Sequence, residues 1–463
     1  MPASAERDDL QQVAHEHLLL HFARNGAFGP DGSDLLILDR GEGPYVFDRS
    51  GRRYLDALSS HYCAQIGYSY GAEMAEVASA QLQRLAFNSN LIHTAHQPGI
   101  ELAEQLAARA PAGIERVFFT TGGSEANEAA WKLARQFHLA NGEPERRKAI
   151  ARRTAYHGVT LGALSLTGVD AFKEPFGPSG IPVRHVSNTN GFRRPEGDAE
   201  LCAALLAELE AAIEAEGPET IAMLIAEPVQ NAGGCLLPPA GYWPGLRALC
   251  DAHGILLVAD EVITGCGRLG EWFAVTKFGA TPDMITLAKG LTSAYAPLGA
   301  VMVSDRVAAP FYEADRVLLH AVTFGGHPVS AAICLRNLEI FARDRVLENV
   351  RANEPYLAKR MQALRELPIV GDIRGGGYFW AAEMVPDGAD GRFDADQRAE
   401  LIRRFMPARL LEAGLLARAD DRGDVVVQVA PPLISDRQVL DEVVTGLEAV
   451  LVDAGRHMGV TAG

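Results

Sequence analysis

The sequence has no apolar run long enough to cross a bilayer. The most apolar stretch near its start, His17-Leu18-Leu19-Leu20-His21, is far shorter than the roughly 20 residues a spanning helix needs. Met1 to Gln12 is polar and charged, without an apolar segment behind a basic start, so a secretory leader is not expected. Basic charge is also scarce: 43 Lys and Arg stand against 59 Asp and Glu, a net charge of −16, which argues against a nucleic-acid partner or an anionic membrane surface. The six cysteines (Cys63, Cys202, Cys235, Cys250, Cys266, Cys334) are scattered without Cys-x-x-Cys or metal-ligand spacing. They read as reduced thiols, which points to the cytoplasm. His15, His17 and His21 lack a set of Cys or carboxylate partners and read as a solvated helix face, so no metal is expected.

What is present is a globular pattern. At 463 residues the chain exceeds what one core usually supports, so two or more domains are expected. Short apolar runs alternate with amphipathic stretches through the middle of the chain, the pattern of βα units and a parallel sheet. Strands are predicted at Arg116–Thr120, Lys148–Arg152, Ile181–Val186, Ile221–Ala226, Ile255–Asp260, Met284–Leu287 and Gly299–Ser304. Tyr45–Leu55 reads as two short strands about a turn at Ser50-Gly51. Helices are predicted at Val329–Asp344 and Val346–Leu367, the second kinked or divided at Pro355. Strands at Gly377–Val385 and Val425–Ala430 and a closing helix at Asp436–Ala454 follow. The expected fold is α/β: a large domain at residues 71–335 around a mostly parallel seven-stranded sheet, and a smaller α+β domain from residues 1–70 and 336–463.

Two of the predicted buried strands end in chemistry. Asp260 closes one, and Lys289 follows the other in Leu287-Ala288-Lys289-Gly290, so a carboxylate and an amine face one crevice at the carboxyl edge of the sheet. An amine in apolar surroundings loses hydration of its ammonium form and becomes a usable nucleophile. On these two residues alone, a structural ion pair is the simpler reading. Thr121-Gly122-Gly123-Ser124, between a strand and a helix, adds an anion site: free N–H groups and the helix dipole favour a phosphate, and Ser124 adds a hydroxyl. By itself the turn could equally be an N-cap. Tyr156, in Tyr156-His157-Gly158 after the next strand, can stack on a planar ring or be a half-buried loop aromatic.

Together these residues resemble the class III (omega) aminotransferases, pyridoxal-phosphate enzymes of fold type I, from about Tyr45 to the last helix. The most specific segment is Leu257-Val258-Ala259-Asp260-Glu261-Val262-Ile263-Thr264-Gly265-Cys266-Gly267-Arg268-Leu269-Gly270, followed in order by Ala288-Lys289-Gly290 and Tyr295-Ala296-Pro297-Leu298-Gly299-Ala300. Thr121 to Asn127, Tyr156-His157-Gly158, Ala226-Glu227-Pro228-Val229-Gln230 and Thr323-Phe324-Gly325-Gly326-His327-Pro328 match four further motifs. The resemblance implies pyridoxal 5'-phosphate bound covalently to Lys289, which also moves the proton, and Asp260 paired with the protonated pyridine nitrogen. It implies Gly123 and Ser124 on the phosphate, Tyr156 and Val262 on the two ring faces, and Thr323 reaching the phosphate of a neighbouring subunit. The enzyme would then be a homodimer with shared active sites, or a tetramer.

The substrates implied are an omega-amine or amino acid as donor and a 2-oxo acid as acceptor. The family places a carboxylate-gripping arginine before a Pro-Pro turn, which fits Arg418 ahead of Pro431-Pro432, with Arg422 as competitor. Glu227 matches a family glutamate that can neutralise that arginine when an uncharged substrate binds. An apolar Ile263, where relatives acting on ornithine or 4-aminobutyrate usually have Gln, favours pyruvate as acceptor. Tyr62 is expected to line the substrate pocket, and Phe87 either the pocket or the core. An aminomutase or racemase would share Lys289 and Asp260, and a non-catalytic scaffold would keep the fold alone.

Overall fold

Seven strands build the central sheet: β4 (Ile114–Thr120), β5 (Lys148–Arg152), β6 (Val183–Val186), β7 (Ile221–Ala226), β8 (Leu256–Asp260), β9 (Met284–Leu287) and β10 (Gly299–Ser304). They lie in the order β4-β10-β9-β8-β7-β5-β6. Only β10 runs antiparallel to its neighbours. The computed structural model describes residues 10–29, 34–177, 180–313, 315–387, 391–420 and 422–460. Every residue of β7, β8 and β9 is buried, because helices cover both faces of the sheet and leave no position for alternating polar residues. On one face the helix Gly123–Ala140 packs Ala126, Ala130, Leu133 and Phe137, spaced at three and four residues. On the other, Asp198–Glu216 contributes Leu205 and Leu209, and Tyr242–His253 contributes Trp243 and Leu246.

Two antiparallel sheets flank this core. One holds β1 (Leu38–Glu42), β2 (Tyr45–Asp48) and β3 (Arg53–Leu55). The other holds β11 (Val370–Gly376), β12 (Phe379–Met384), β13 (Arg418–Asp420) and β14 (Val426–Val429), in the order β11-β12-β14-β13. Leu55 ties the two chain ends together: its N–H donates to the Gly414 carbonyl (2.8 Å) and its own carbonyl accepts from Leu416 N–H (2.9 Å).

The predicted strands of the central sheet are all found, within two residues at each end. Three strands were not anticipated: β1, β11 and β13. The glycine run Arg374-Gly375-Gly376 belongs to β11, and the turn falls at Gly377, whose φ of +54° and backbone contact with Arg268 (an added Cβ would lie 2.4 Å from the carbonyl oxygen) require glycine. The helix Val346–Ala363 runs through Pro355 undivided. Val350 on one side of the proline and Leu357 and Met361 on the other are buried in one core, which holds both halves in line. Among the described residues no helix is long and apolar enough to cross a membrane.

Candidate active site

The parallel strands all end at one edge, and five of them deliver site residues there. β4 leads to Gly123 and Ser124, β5 to Tyr156 and His157, β7 to Glu227, β8 to Asp260 and β9 to Lys289. These side chains, with Val262 and Asn127, line a cavity of about 490 Å³.

Asp260 is buried and fully engaged. Its Oδ2 accepts from Asn127 Nδ2 (2.9 Å) and meets His157 Nδ1 (2.7 Å), and its Oδ1 accepts from Val262 N–H (3.1 Å). Burial alone would push this carboxyl up, but the hydrogen bonds from His157, Val262 and Asn127 and the charge of His157 outweigh it and hold Asp260 below the usual carboxylate range. His157 Nε2 and Asn127 Oδ1 are buried without a partner among the described residues.

The helix Gly123–Ala140 starts without a side-chain cap at Gly122, so the N–H groups of its first turn stay open to the cavity. A Cβ at Gly123 would lie 2.9 Å from Val262 Cγ1, and one at Gly158 (φ +121°) 2.3 Å from Ser124 Oγ. Both glycines therefore keep the wall thin and bring backbone to the cavity floor. Lys289 has φ +44°, the left-handed region that side chains other than glycine rarely adopt. Its amine makes no hydrogen bond or ion pair among the described residues. Pyridoxal phosphate fits this donor set: an open helix N-terminus for the phosphate, an ionised buried acid for the ring nitrogen, and an unpaired amine for the aldehyde.

A second cavity of about 500 Å³ shares Lys289, Tyr156 and Ile263 with the first and adds His61, Tyr62, Phe172, Arg418, Asp420 and Arg422. Tyr62 enters it from a left-handed turn, Ser59 to Tyr62, with φ of +49°, +45°, +61° and +69°. Long-range bonds pin this turn: Ser59 Oγ donates to the Ala430 carbonyl (2.6 Å) and Tyr62 OH to Gln428 Oε1 (2.5 Å), with Phe379 edge-on to the Tyr62 ring. Tyr62 is wholly buried, so only part of its ring edge borders the cavity, and burial pushes its phenol well up.

Arg418 and Arg422 both reach this second cavity, and both are paired with Asp420. Glu227 is not their partner. Its Oε1 accepts from Tyr156 N–H (3.1 Å) and its Oε2 from Asn231 N–H (2.9 Å), and it lines the first cavity only. Glu227 makes no contact with Arg418 among the described residues, and two backbone amides hold its carboxylate. Phe87 lines neither cavity. Within this chain it is 41% exposed and packs on Phe324 and His327, so it is not a core residue. Thr323, beside this cluster, is also exposed and outside both cavities.

Sequence reasoning missed His157, Asn127 and Asp420. The first two lie inside the quoted motifs, next to or near residues given roles, and that position was the available signal. Asp420 carried no signal, since its partners depend on the folding of β13.

The aminotransferase class-III family matches residues 28–451. A probable aminotransferase of Mycobacterium tuberculosis is 48% identical over 450 residues, 96% of this chain and 95% of its own length. The putrescine–pyruvate aminotransferase of Pseudomonas aeruginosa is 35% identical over 449 residues, 96% of this chain and 95% of its own. A thermostable (S)-enantioselective omega-transaminase from Thermomicrobium roseum superposes with a TM-score of 0.92 at 41% identity, over 98% of this chain and all of that one. Sequence, fold and the two joined cavities agree, and the chain belongs to the class III aminotransferases, pyridoxal-phosphate enzymes that move an amino group from an amine to a 2-oxo acid.

Proposed function

We propose that this aminotransferase takes its amino group from an apolar or arylalkyl omega-amine or amino acid and passes it to pyruvate. The observation that carries the reading is the unpaired Lys289 amine where the two cavities meet, with Ile263 on the shared wall and Arg418 beyond it. One available arginine beside apolar Ile263 and the Tyr62 ring edge suits an acceptor with one carboxylate and a small apolar remainder. The P. aeruginosa relative named for pyruvate supports that choice.

In this reading each group acts on a stated atom. Bound pyridoxal phosphate supplies an electron-withdrawing ring that stabilises negative charge on the donor carbon. Asp260 keeps a proton on the ring nitrogen, and His157 and Asn127 keep Asp260 ionised. Lys289 Nζ takes the proton from the donor carbon and later returns one to the product. Gly123 and Ser124 hold the phosphate, while Tyr156 and Val262 confine the ring. Arg418 orients the acceptor carboxylate.

The quaternary reading is a homodimer. Thr323 lies beside exposed Phe324 (58%) and Phe87, and Ile92 is 94% exposed; a partner covering these apolar side chains would bring Thr323 to its own phosphate site. A division into a large domain at 71–335 and a small domain from 1–70 and 336–463 follows the grouping of the sheets. Six free cysteines, five of them buried, suit the reducing cytosol.

The test is to load the protein with pyridoxal phosphate and follow the absorbance of the bound cofactor against single amine donors without acceptor. Bleaching that pyruvate reverses and 2-oxoglutarate does not is the expected result. Reversal by 2-oxoglutarate alone would overturn the acceptor, and no lysine-bound cofactor band would overturn the role of Lys289.

A further inference from the structure

Two arginines share one carboxylate at the substrate end of the site. Asp420 closes β13, and its side chain is 4% exposed. Its Oδ1 accepts from Arg422 N–H (3.0 Å) and Arg422 Nε (2.9 Å), and its Oδ2 from Arg422 Nε (2.7 Å) and Arg422 Nη2. Arg422 is held a second way, over the rings of Tyr156 (5.7 Å) and Phe172 (5.9 Å). Among the described residues Arg418 makes one ion-pair contact, Nη2–Oδ2 at 3.3 Å, and its side chain is 25% exposed against 8% for Arg422. Arg422 is therefore fixed, and Arg418 is loosely held.

The charges make the asymmetry functional. At the Asp420 end of the cavity, two guanidinium groups and one carboxylate leave a single positive charge where substrates with and without a carboxylate must be accepted in turn. A bare guanidinium beside an apolar amine is strongly unfavourable, because a charge cut off from water needs a partner. Among the described residues Glu227 touches neither arginine; its oxygens accept from the Tyr156 and Asn231 N–H groups.

We propose that Asp420 is the specificity-determining counter-ion of this aminotransferase. It keeps Arg422 permanently paired and holds Arg418 in reserve, so that an uncharged donor meets a neutralised arginine and an incoming carboxylate takes Arg418 over. Giving up one 3.3 Å contact for a bidentate carboxylate is a favourable exchange for Arg418. The cavity then suits substrates with one carboxylate or none, and disfavours a second carboxylate, which would meet Asp420.

The inference rests on the transaminase reading with Arg418 as clamp, and the experiment separates the two. Wild type, Asp420→Asn, Asp420→Glu and Arg418→Leu holoenzymes are compared for pyruvate, 2-oxoglutarate and a carboxylate-free amine such as 1-phenylethylamine. Asp420→Asn is expected to lower the KM for pyruvate and raise that for the carboxylate-free amine, each by about tenfold, with 2-oxoglutarate gaining as acceptor. Asp420→Glu is expected to restore the wild-type ratio. KM values that move together, or no rescue by Glu, overturn the counter-ion role.

Arg418→Leu covers the case in which Asp420→Asn does not fold. With Arg418 already neutralised by Asp420, its removal should change the carboxylate-free amine's KM by less than about threefold. A fall of tenfold or more would show a bare charge in the wild type and overturn the inference. Unchanged pyruvate KM in Arg418→Leu overturns the clamp, and absence of any amino transfer by the wild type overturns the transaminase assignment itself.

Discussion

Asp260 and Asp420 are both buried carboxylates at strand ends facing the same active site, yet they are built for opposite purposes. Asp260 has three fixed donors, from Asn127, His157 and Val262, all from the core around the central sheet. Asp420 is divided between an arginine held four ways and one held once. Both carboxyls lie below the usual range despite burial, the first through neutral donors and His157, the second chiefly through Arg422. Chemistry on the cofactor is the same for every substrate and needs one geometry. Recognition has to serve two substrates in turn and needs a contact that can be broken.

The sharpest way to break the chemical end is Lys289→Ala. Turnover should fall by at least about 10⁴-fold, the upper range for a positioned acid–base group, with the fold intact by circular dichroism. Asp260→Asn should lower kcat by about 10²–10³-fold and leave pyruvate KM nearly unchanged. A drop confined to KM would mean that Asp260 is not at the ring nitrogen. At the recognition end, Arg418→Leu should raise pyruvate KM by about tenfold to a hundredfold while kcat at saturation stays within about threefold.

The smallest expected effect concerns Glu261, adjacent to Asp260 but without a histidine beside its carboxylate. Burial pushes its carboxyl up to about 7 from an ordinary 4.5, although Thr264 and the Val275 N–H donate to it. Its folded value is raised, so the folded state binds the extra proton between pH 4.5 and about 7. Stability then falls as pH rises through that window, and the loss is complete above it. Glu261→Gln should therefore raise the melting temperature by about 1–3 °C above pH 7.5 and leave it unchanged or lower near pH 4.5. An equal shift at both pH values would show that its proton plays no part.

The chemical end was legible in the sequence, and the recognition end was legible only in outline. Continuous apolar runs such as Ile255 to Ala259 announce covered parallel strands, and residues at their carboxyl ends must share an edge, so Lys289, Asp260 and the Gly122-Gly123-Ser124 turn could be brought together from the chain alone. β13 has three residues and no period to detect, and Asp420 gains meaning only when that strand pairs with β14. The setting of Glu227 was hidden because a sequence shows which charges exist and hides backbone amides, and it is those amides that hold it. The left-handed turn at Ser59–Tyr62 was invisible for a related reason. It contains no glycine, and its conformation is imposed by contacts with Gln428 and Ala430 far along the chain.

β13 lies at the edge of its sheet, bonded on one side to β14, whereas β8 and β9 are flanked on both sides within the central sheet. Edge strands fray locally, and interior strands release their amide protons only when the whole sheet opens. In deuterium exchange the same active site should therefore run on two clocks, fast for Arg418 to Asp420 and slow for the strands that carry Asp260 and Lys289. Heritable change can follow the same division, because a fraying edge tolerates new side chains that an interior strand would not, and the substrate can be exchanged while the reaction stays as it is.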